Sequence, residues 1–89
     1  MPDWAVYILR CVDGSLYTGI SVDVERRVEE HNSCNRLGAK YTRGRRPVKL
    51  VYTEVLNDRS QATQRELQIK QMSHKEKERL IRSADVKAK

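Results

Sequence analysis

The chain has 89 residues, of which 18 are Lys or Arg and 12 are Asp or Glu, so its formal net charge is +6. A chain of this length forms one small core and buries only roughly 60% of the surface that its unfolded form exposes, which excludes deep pockets and favours a surface groove. The positive charge favours a polyanionic partner without identifying it.

The cysteines and the apolar segments indicate in which cellular compartment the protein is expected. Cys11 and Cys34 belong to no CxxC pair or Cys/His cluster, so we interpret both as packing residues and not as zinc ligands. Nothing resembling a secretory signal precedes the first strand-like segment, and no apolar stretch approaches the roughly 20 residues of a membrane span. We therefore expect a soluble protein of the reducing cytoplasm, with no membrane contact and no obligate protein partner.

The first two predicted elements are strands. Residues 4–11 (WAVYILRC) are nearly continuously apolar and rich in aromatic and β-branched residues, which predicts a central strand covered on both faces. Val12-Asp13-Gly14-Ser15 is a turn signal, and residues 16–20 (LYTGI) follow as a second short strand. The two segments predict a β-hairpin.

The length of the hairpin loop decides where two tyrosines point. A two-residue loop would place Tyr7 and Tyr17 on opposite faces of the sheet. A three-residue loop, with Gly14 in the left-handed conformation, pairs Tyr7 with Gly19 and places both tyrosines on one face. We predict the three-residue loop, and we expect Gly19 to be small because a side chain opposite Tyr7 would crowd the phenol.

Residues 21–33 predict a helix that begins at Ser21 or Asp23. The residues at i, i+3, i+4 and i+7 form a mixed stripe of Val24, Arg27, Val28 and His31. Residues 35–47 contain two glycines and a proline without periodicity, which indicates a loop. This loop and its flanks carry a cluster of cations for nucleic-acid backbone, and the alternative is a solvated loop. The cluster comprises Arg36, Lys40, Arg43, Arg45, Arg46 and Lys49, and we add Arg26 from the helix.

The remaining residues predict one strand and two helices. Residues 48–56 alternate like a strand, and residues 57–60 cap a helix that continues to about residue 72, with Ala62, Glu66 and Ile69 as one stripe. A third helix begins with a capping box at Ser73 and Glu76 and continues through Ile81, followed by a frayed tail of residues 83–89. The order β-β-α-β-α-α predicts an α+β domain over residues 1–82, with a three-stranded antiparallel sheet flanked by three helices.

Three segments in this order carry a family resemblance. They are AVY at 5–7, YTG at 17–19 and SxDVxRRVxxHN at 21–32. Together they resemble the GIY-YIG nuclease superfamily over about residues 4–82, and most of all its small bacterial stand-alone members. The resemblance implies a phosphodiesterase that cuts nucleic acid, DNA more than RNA, in repair or processing. It also implies one divalent metal ion, Mg²⁺ or Mn²⁺. Selectivity is expected to be for structure and not for sequence, because no base-reading module is present.

The resemblance assigns roles to four residues outside the metal site. Tyr7 and Tyr17 would bind and activate the attacking water, one of them as general base, and we favour Tyr7 because it is the more interior. Arg27 corresponds to the family's catalytic arginine, whose planar fork suits the charge that builds on phosphate in the transition state. His31 would protonate the leaving oxygen or hold the scissile phosphate.

Glu66 corresponds to the glutamate that binds the metal ion in the family. A carboxylate on this helix stripe is costly to bury unless a cation meets it, and that cation is either a metal ion or a side chain such as Lys70. The chain departs from the family at a later asparagine, since no asparagine follows Asn57; Lys70 or Gln71 stands in, or nothing does. This departure supports an alternative function, a nucleic-acid-binding module with the nuclease fold and little turnover.

Overall fold

The computed structural model describes residues 3–33, 42 and 44–88, the last four of these by their backbone alone. The elements are β1 (Trp4–Arg10), β2 (Leu16–Ser21), α1 (Val24–Ser33), β3 (Lys49–Leu56), α2 (Arg59–Lys70) and α3 (His74–Ala88). This order confirms the predicted α+β fold. Among the residues discussed above, Cys34, Arg36, Lys40 and Arg43 lie outside the described residues.

The three strands form an antiparallel sheet in the order β2-β1-β3, with β1 central as predicted. In the hairpin, the Cys11 N–H donates to the Ser15 carbonyl at 2.8 Å and the Gly14 N–H donates to the Cys11 carbonyl at 2.9 Å. Gly14 has φ +86°, a conformation that favours glycine. The loop therefore has three residues, and the predicted register, with Tyr7 opposite Gly19, is confirmed.

Strand β1 separates two clusters of buried side chains, because successive residues point to opposite faces. We call one the apolar face: Val6, Ile8 and Leu16 of the sheet pack there with Ile69 of α2 and Ile81 of α3. We call the other the tyrosine face: Tyr7, Leu9, Cys11 and Val48 are buried there, and Tyr17, Leu50 and the α1 residues Val24 and Val28 pack against them. Helix α1 thus covers the tyrosine face, while Ile69 and Ile81 bring the later helices to the apolar face.

Helix α1 begins directly after the strand that carries Tyr17. The Arg26 N–H donates to the Asp23 carboxylate at 3.2 Å, so Asp23 is the N-cap. Ser21, the other predicted cap, accepts the Asp23 N–H with its hydroxyl oxygen at 3.0 Å. These two bonds fix where the helix starts and hence where its Arg27 and His31 lie relative to the sheet.

Helix α3 begins as predicted and ends later. Ser73 and Glu76 form the reciprocal bonds of a capping box, at 3.1 and 3.2 Å. The helix then continues to Ala88, so the predicted frayed tail is helical over residues 83–88. The tail includes alanine and lysine, which favour helix even where little is buried. No helix in the described part of the chain is long and apolar enough to span a membrane.

Candidate active site

A buried chain of polar contacts joins the tyrosine face to α1. The Tyr7 hydroxyl lies 3.0 Å from His31 Nε2, and His31 Nδ1 lies 3.0 Å from the Thr42 hydroxyl. The exposed fractions of Tyr7, His31 and Thr42 are 1%, 0% and 0%. Each imidazole nitrogen therefore has a partner, and one ring orientation satisfies both.

Burial keeps both titratable groups of this chain neutral near pH 7. Burial, with the neighbouring Tyr17, raises the pKa of Tyr7 to about 12, although Arg27 opposes the shift. Burial also lowers the pKa of His31 to about 4, and the charge of Arg27 acts in the same direction. A neutral imidazole beside a neutral phenol has an acceptor nitrogen available for the phenolic proton.

Gly19 and Tyr17 shape the surroundings of the Tyr7 ring. A Cβ atom at Gly19 would lie 2.6 Å from the Tyr7 hydroxyl oxygen, so only glycine leaves room for this phenol. The ring centroid of Tyr17 lies 6.5 Å from that of Tyr7 and 5.2 Å from that of His31. Tyr17 is only half-buried and so lies between the buried contacts and solvent.

Arg27 lies between Tyr7 and a carboxylate on its own helix. Its Nη1 atom donates to Glu30 Oε1 at 3.0 Å. Its side chain is 29% exposed. Burial disfavours the charged guanidinium, but Glu30 and Tyr7 outweigh burial and the pKa of Arg27 is raised. The guanidinium therefore stays charged beside Tyr7.

Glu66 lies on α2, which begins at its N-cap Asp58 and buries Ala62 and Ile69. The Glu66 side chain is 21% exposed, and its Oε2 atom is 3.5 Å from Nζ of Lys70. Glu66 is close enough to Tyr7 for its charge to raise the pKa of that phenol. Within the described residues, no group of three or more His, Cys, Asp or Glu side chains converges as a metal site.

Sequence and fold both match known proteins. The family model described as the GIY-YIG catalytic domain matches residues 3–79. The chain belongs to the GIY-YIG family. A UPF0213 protein of Desulfotalea psychrophila is 52% identical over 84 residues, which are 94% of this chain and 76% of that protein.

Two solution NMR structures resemble this GIY-YIG domain. A protein from E. faecalis has a TM-score of 0.66 and 41% identity, covering 97% of this chain and 90% of that one. A UPF0213 protein from Bacillus halodurans has a TM-score of 0.56 and 44% identity, covering 89% and 82%. The resemblance predicted from the sequence is therefore confirmed, and the curated relative and one of the two solved structures carry the UPF0213 name.

Two cations of the predicted basic loop make contacts within the GIY-YIG domain. Arg45 Nε lies 3.1 Å from the Asp13 carboxylate of the hairpin loop. Arg46 Nε donates to the His31 carbonyl at 2.6 Å, near the end of α1, where a positive charge is favourable. Both residues hold the segment before β3 against the domain, so their charges serve packing as well as any ligand.

The other two described cations of this set lie on different sides of the sheet. Arg26 is on α1 with its side chain 75% exposed. Lys49 pairs with Arg10, whereas Leu50 pairs with Leu9 of the tyrosine face. Lys49 therefore belongs to the face opposite the tyrosines, which the loop assignment did not anticipate because register alone decides it.

The burial of His31 changes what it can do. Protonating a leaving oxygen or holding a phosphate requires an imidazole that reaches the substrate, and this ring is fully buried. Its contacts instead place it behind Tyr7. The sequence-based assignment rested on the family resemblance, and helical spacing only puts His31 on the same side as Arg27 without reporting how deeply the ring is covered.

Two residues of the site were missed from sequence. Thr42, the residue at the His31 end of the polar chain, lies in a segment without periodicity, and no sequence signal identified it. Glu30 lies outside the predicted helix stripe, yet it contacts both Arg26 and Arg27. Glu30 follows Arg26 by four residues and Arg27 by three, and this spacing was a usable sign of helical ion pairs.

Proposed function

We propose that this domain is a metal-dependent nuclease that hydrolyses phosphodiester bonds of DNA. The observation that carries the proposal is the 3.0 Å contact between the Tyr7 hydroxyl and His31 Nε2, buried beside the charged Arg27. A phenol of raised pKa stays protonated near pH 7 and cannot accept a proton by itself, and a neutral imidazole within hydrogen-bond distance gives the phenolic proton a destination. Membership of the GIY-YIG family supports the same reaction class.

The proposed reaction starts from the tautomer in which His31 Nδ1–H donates to Thr42 and Nε2 accepts from Tyr7. A water beside Tyr7 and Tyr17 gives one proton to the Tyr7 oxygen while the Tyr7 hydroxyl proton passes to His31 Nε2. The water oxygen bonds to phosphorus, the bond from phosphorus to the leaving oxygen breaks, and the leaving alkoxide takes a proton from solvent. His31 then returns its proton through Tyr7 to solvent, which restores the neutral imidazole that burial favours. Arg27 stabilises the negative charge that builds on the phosphoryl oxygens.

Glu66 is the residue that would hold the metal ion, and its setting fits one. Its carboxylate is partly exposed, and within the described part of the chain its only ion pair is the long 3.5 Å contact with Lys70. Mg²⁺ and Mn²⁺ accept such a site, because one carboxylate with waters and substrate phosphate oxygens completes the shell. A bound ion would supply further stabilisation of the phosphoryl charge.

The proposed substrate rests on the positive charge of the chain. The net charge of +6 and the exposed Arg26 favour backbone contacts that do not depend on sequence. We therefore propose selectivity for single-stranded, branched or end structures, with a role in DNA repair or processing in the cytoplasm. A basic surface does not distinguish DNA from RNA unless it contacts the 2′-hydroxyl, so the test includes both.

The test is cleavage of labelled single-stranded, duplex and branched DNA, and of matched RNA, with Mg²⁺, with Mn²⁺ and with EDTA. Arg27→Ala should lower the cleavage rate by roughly 10²- to 10³-fold, and Glu66→Ala should abolish the cleavage that depends on the metal ion. Arg82→Ala removes the same charge at an exposed position of α3 and should cleave normally. Folding of each variant is checked by its unfolding transition.

A second candidate function is a nucleic-acid-binding module without turnover. The burial of Tyr7 and its pKa of about 12 favour it, because they stabilise the unreactive neutral phenol. Binding of DNA with no cleavage by the unmodified chain under any metal condition would establish this function and reject the nuclease. Cleavage that Tyr7→Phe abolishes and Tyr17→Phe only weakens would identify Tyr7 as the base.

A further inference from the structure

Glu30 contacts both arginines of α1 at once. Its Oε1 atom lies 3.0 Å from Nη1 of Arg27, and its Oε2 atom lies 3.3 Å from Nε of Arg26. The Glu30 side chain is only 21% exposed. Both oxygens of the carboxylate are therefore committed at the base of the exposed side of the helix.

The two arginines differ in how firmly they are held. The side chain of Arg26 is 75% exposed, whereas that of Arg27 is 29% exposed and also interacts with Tyr7 through its charge and by hydrogen bonding. Glu30 thus binds one edge of the Arg27 guanidinium, and Tyr7 interacts with the same guanidinium. A guanidinium has five N–H donors in a fixed plane, so holding one edge determines where the others point.

The surroundings of Glu30 are a groove and not a closed contact. Ser21, Val22 and Asp23 line this groove of about 190 Å³ together with Arg26, Arg27 and Glu30. A phosphate that enters it meets an Arg27 whose orientation is already fixed. Ion pairs between side chains three or four residues apart on one helix contribute only a few tenths of a kcal/mol, so folding alone gives a weak reason for Glu30 to bind two arginines.

We propose that Glu30 is a positioning residue for Arg27. The Glu30 carboxylate orients the Arg27 guanidinium toward Tyr7 and toward the phosphate of the substrate. The inference rests on the proposed nuclease function for its kinetic consequence. It adds Glu30 as the outer end of a contact sequence that continues through Arg27, Tyr7 and His31 to Thr42. Glu30 does not touch the reacting atoms in this scheme.

The test compares substitutions at Glu30 with the same substitutions at the exposed neighbour Glu29. Glu30→Ala should lower kcat by roughly 10- to 100-fold, because the guanidinium loses its fixed orientation. KM should stay the same or fall, since removing an acid strengthens attraction to the backbone. Glu30→Gln keeps an acceptor oxygen and should restore part of kcat. Glu29→Ala and Glu29→Gln change the charge equally and should leave kcat unchanged.

A second measurement separates this inference from the proposed function. The side-chain ¹⁵N–¹H signal of Arg27 should be resolved from the other arginine signals in the unmodified chain and in Glu29→Ala. In Glu30→Ala its chemical shift should move to that of exposed arginines. Equal kcat in Glu30→Ala and Glu29→Ala, or an unchanged Arg27 signal, would overturn the role of Glu30. If the unmodified chain cleaves nothing, the nuclease proposal fails, and the Arg27 signal alone decides whether Glu30 holds the guanidinium.

Discussion

The two faces of the sheet are built from different chemistry. On the apolar face, Val6 and Ile8 are buried against Ile69 and Ile81. On the tyrosine face, a phenol and an imidazole are buried as deeply, and hydrogen bonds replace part of the apolar contact. The apolar face gains stability from burial that is insensitive to pH, whereas the tyrosine face depends on each polar partner and on protonation. The proposed chemistry lies on the face that tolerates change least.

The largest expected effect comes from protonating His31. Its folded-state pKa of about 4 lies below the ordinary value of 6.5, so the unfolded chain takes up the proton at a higher pH than the folded chain does. Protonation therefore favours the unfolded state. The free energy of unfolding should fall by roughly 3 kcal/mol from this group as the pH is lowered from 6.5 toward 4.

Urea unfolding across this pH range measures the effect, with His31→Gln as the comparison. The difference between the two stability curves should shrink as the pH falls, because the variant has no imidazole to protonate. His74→Gln, at an exposed histidine, keeps His31 and should retain most of the fall. Parallel curves for the unmodified chain and His31→Gln would show that the buried imidazole is not a weakness of the tyrosine face.

A smaller effect is expected from crowding the Tyr7 phenol. Gly19→Ala puts a Cβ 2.6 Å from the Tyr7 hydroxyl oxygen and 2.7 Å from Cζ, so the ring must move. Overpacking of this kind costs about 1–3 kcal/mol, and the shift also lengthens the contact with His31. Gly44→Ala is the matched control, since no atom of the described residues lies within 4 Å of its added Cβ. Equal unfolding free energies for the two variants would contradict the close packing at Tyr7.

Sequence reasoning succeeded where local rules decide the structure. Asp13 and Gly14 specify the hairpin loop, and the loop specifies the register that puts Tyr7 and Tyr17 on one face. Sequence reasoning was insufficient where tertiary packing decides how deeply a side chain is buried. The depth of His31 depends on Thr42, which comes from a segment without periodicity, and no local rule places that segment.

The last comparison is between two buried threonines, one near each face, and Thr18 is expected to give the smallest effect of all. Thr42 accepts or donates a bond with His31 at 3.0 Å, whereas the buried Thr18 hydroxyl has no partner among the described residues. Thr18 pairs with Ile8 and so shares the apolar face. Thr42→Val should cost about 1–3 kcal/mol, because it removes a buried hydrogen bond to the imidazole. Thr18→Val should be neutral or slightly stabilising, because it removes a buried hydroxyl without breaking a bond.

This pair compares the faces with the same atoms changed, since both substitutions exchange a hydroxyl for a methyl group. Unfolding free energies measured under one condition therefore report the polar partner and not the volume. If Thr18→Val costs as much as Thr42→Val, the Thr18 hydroxyl has a partner and the apolar face is not apolar throughout. If both are neutral, the contact of Thr42 with His31 contributes no stability.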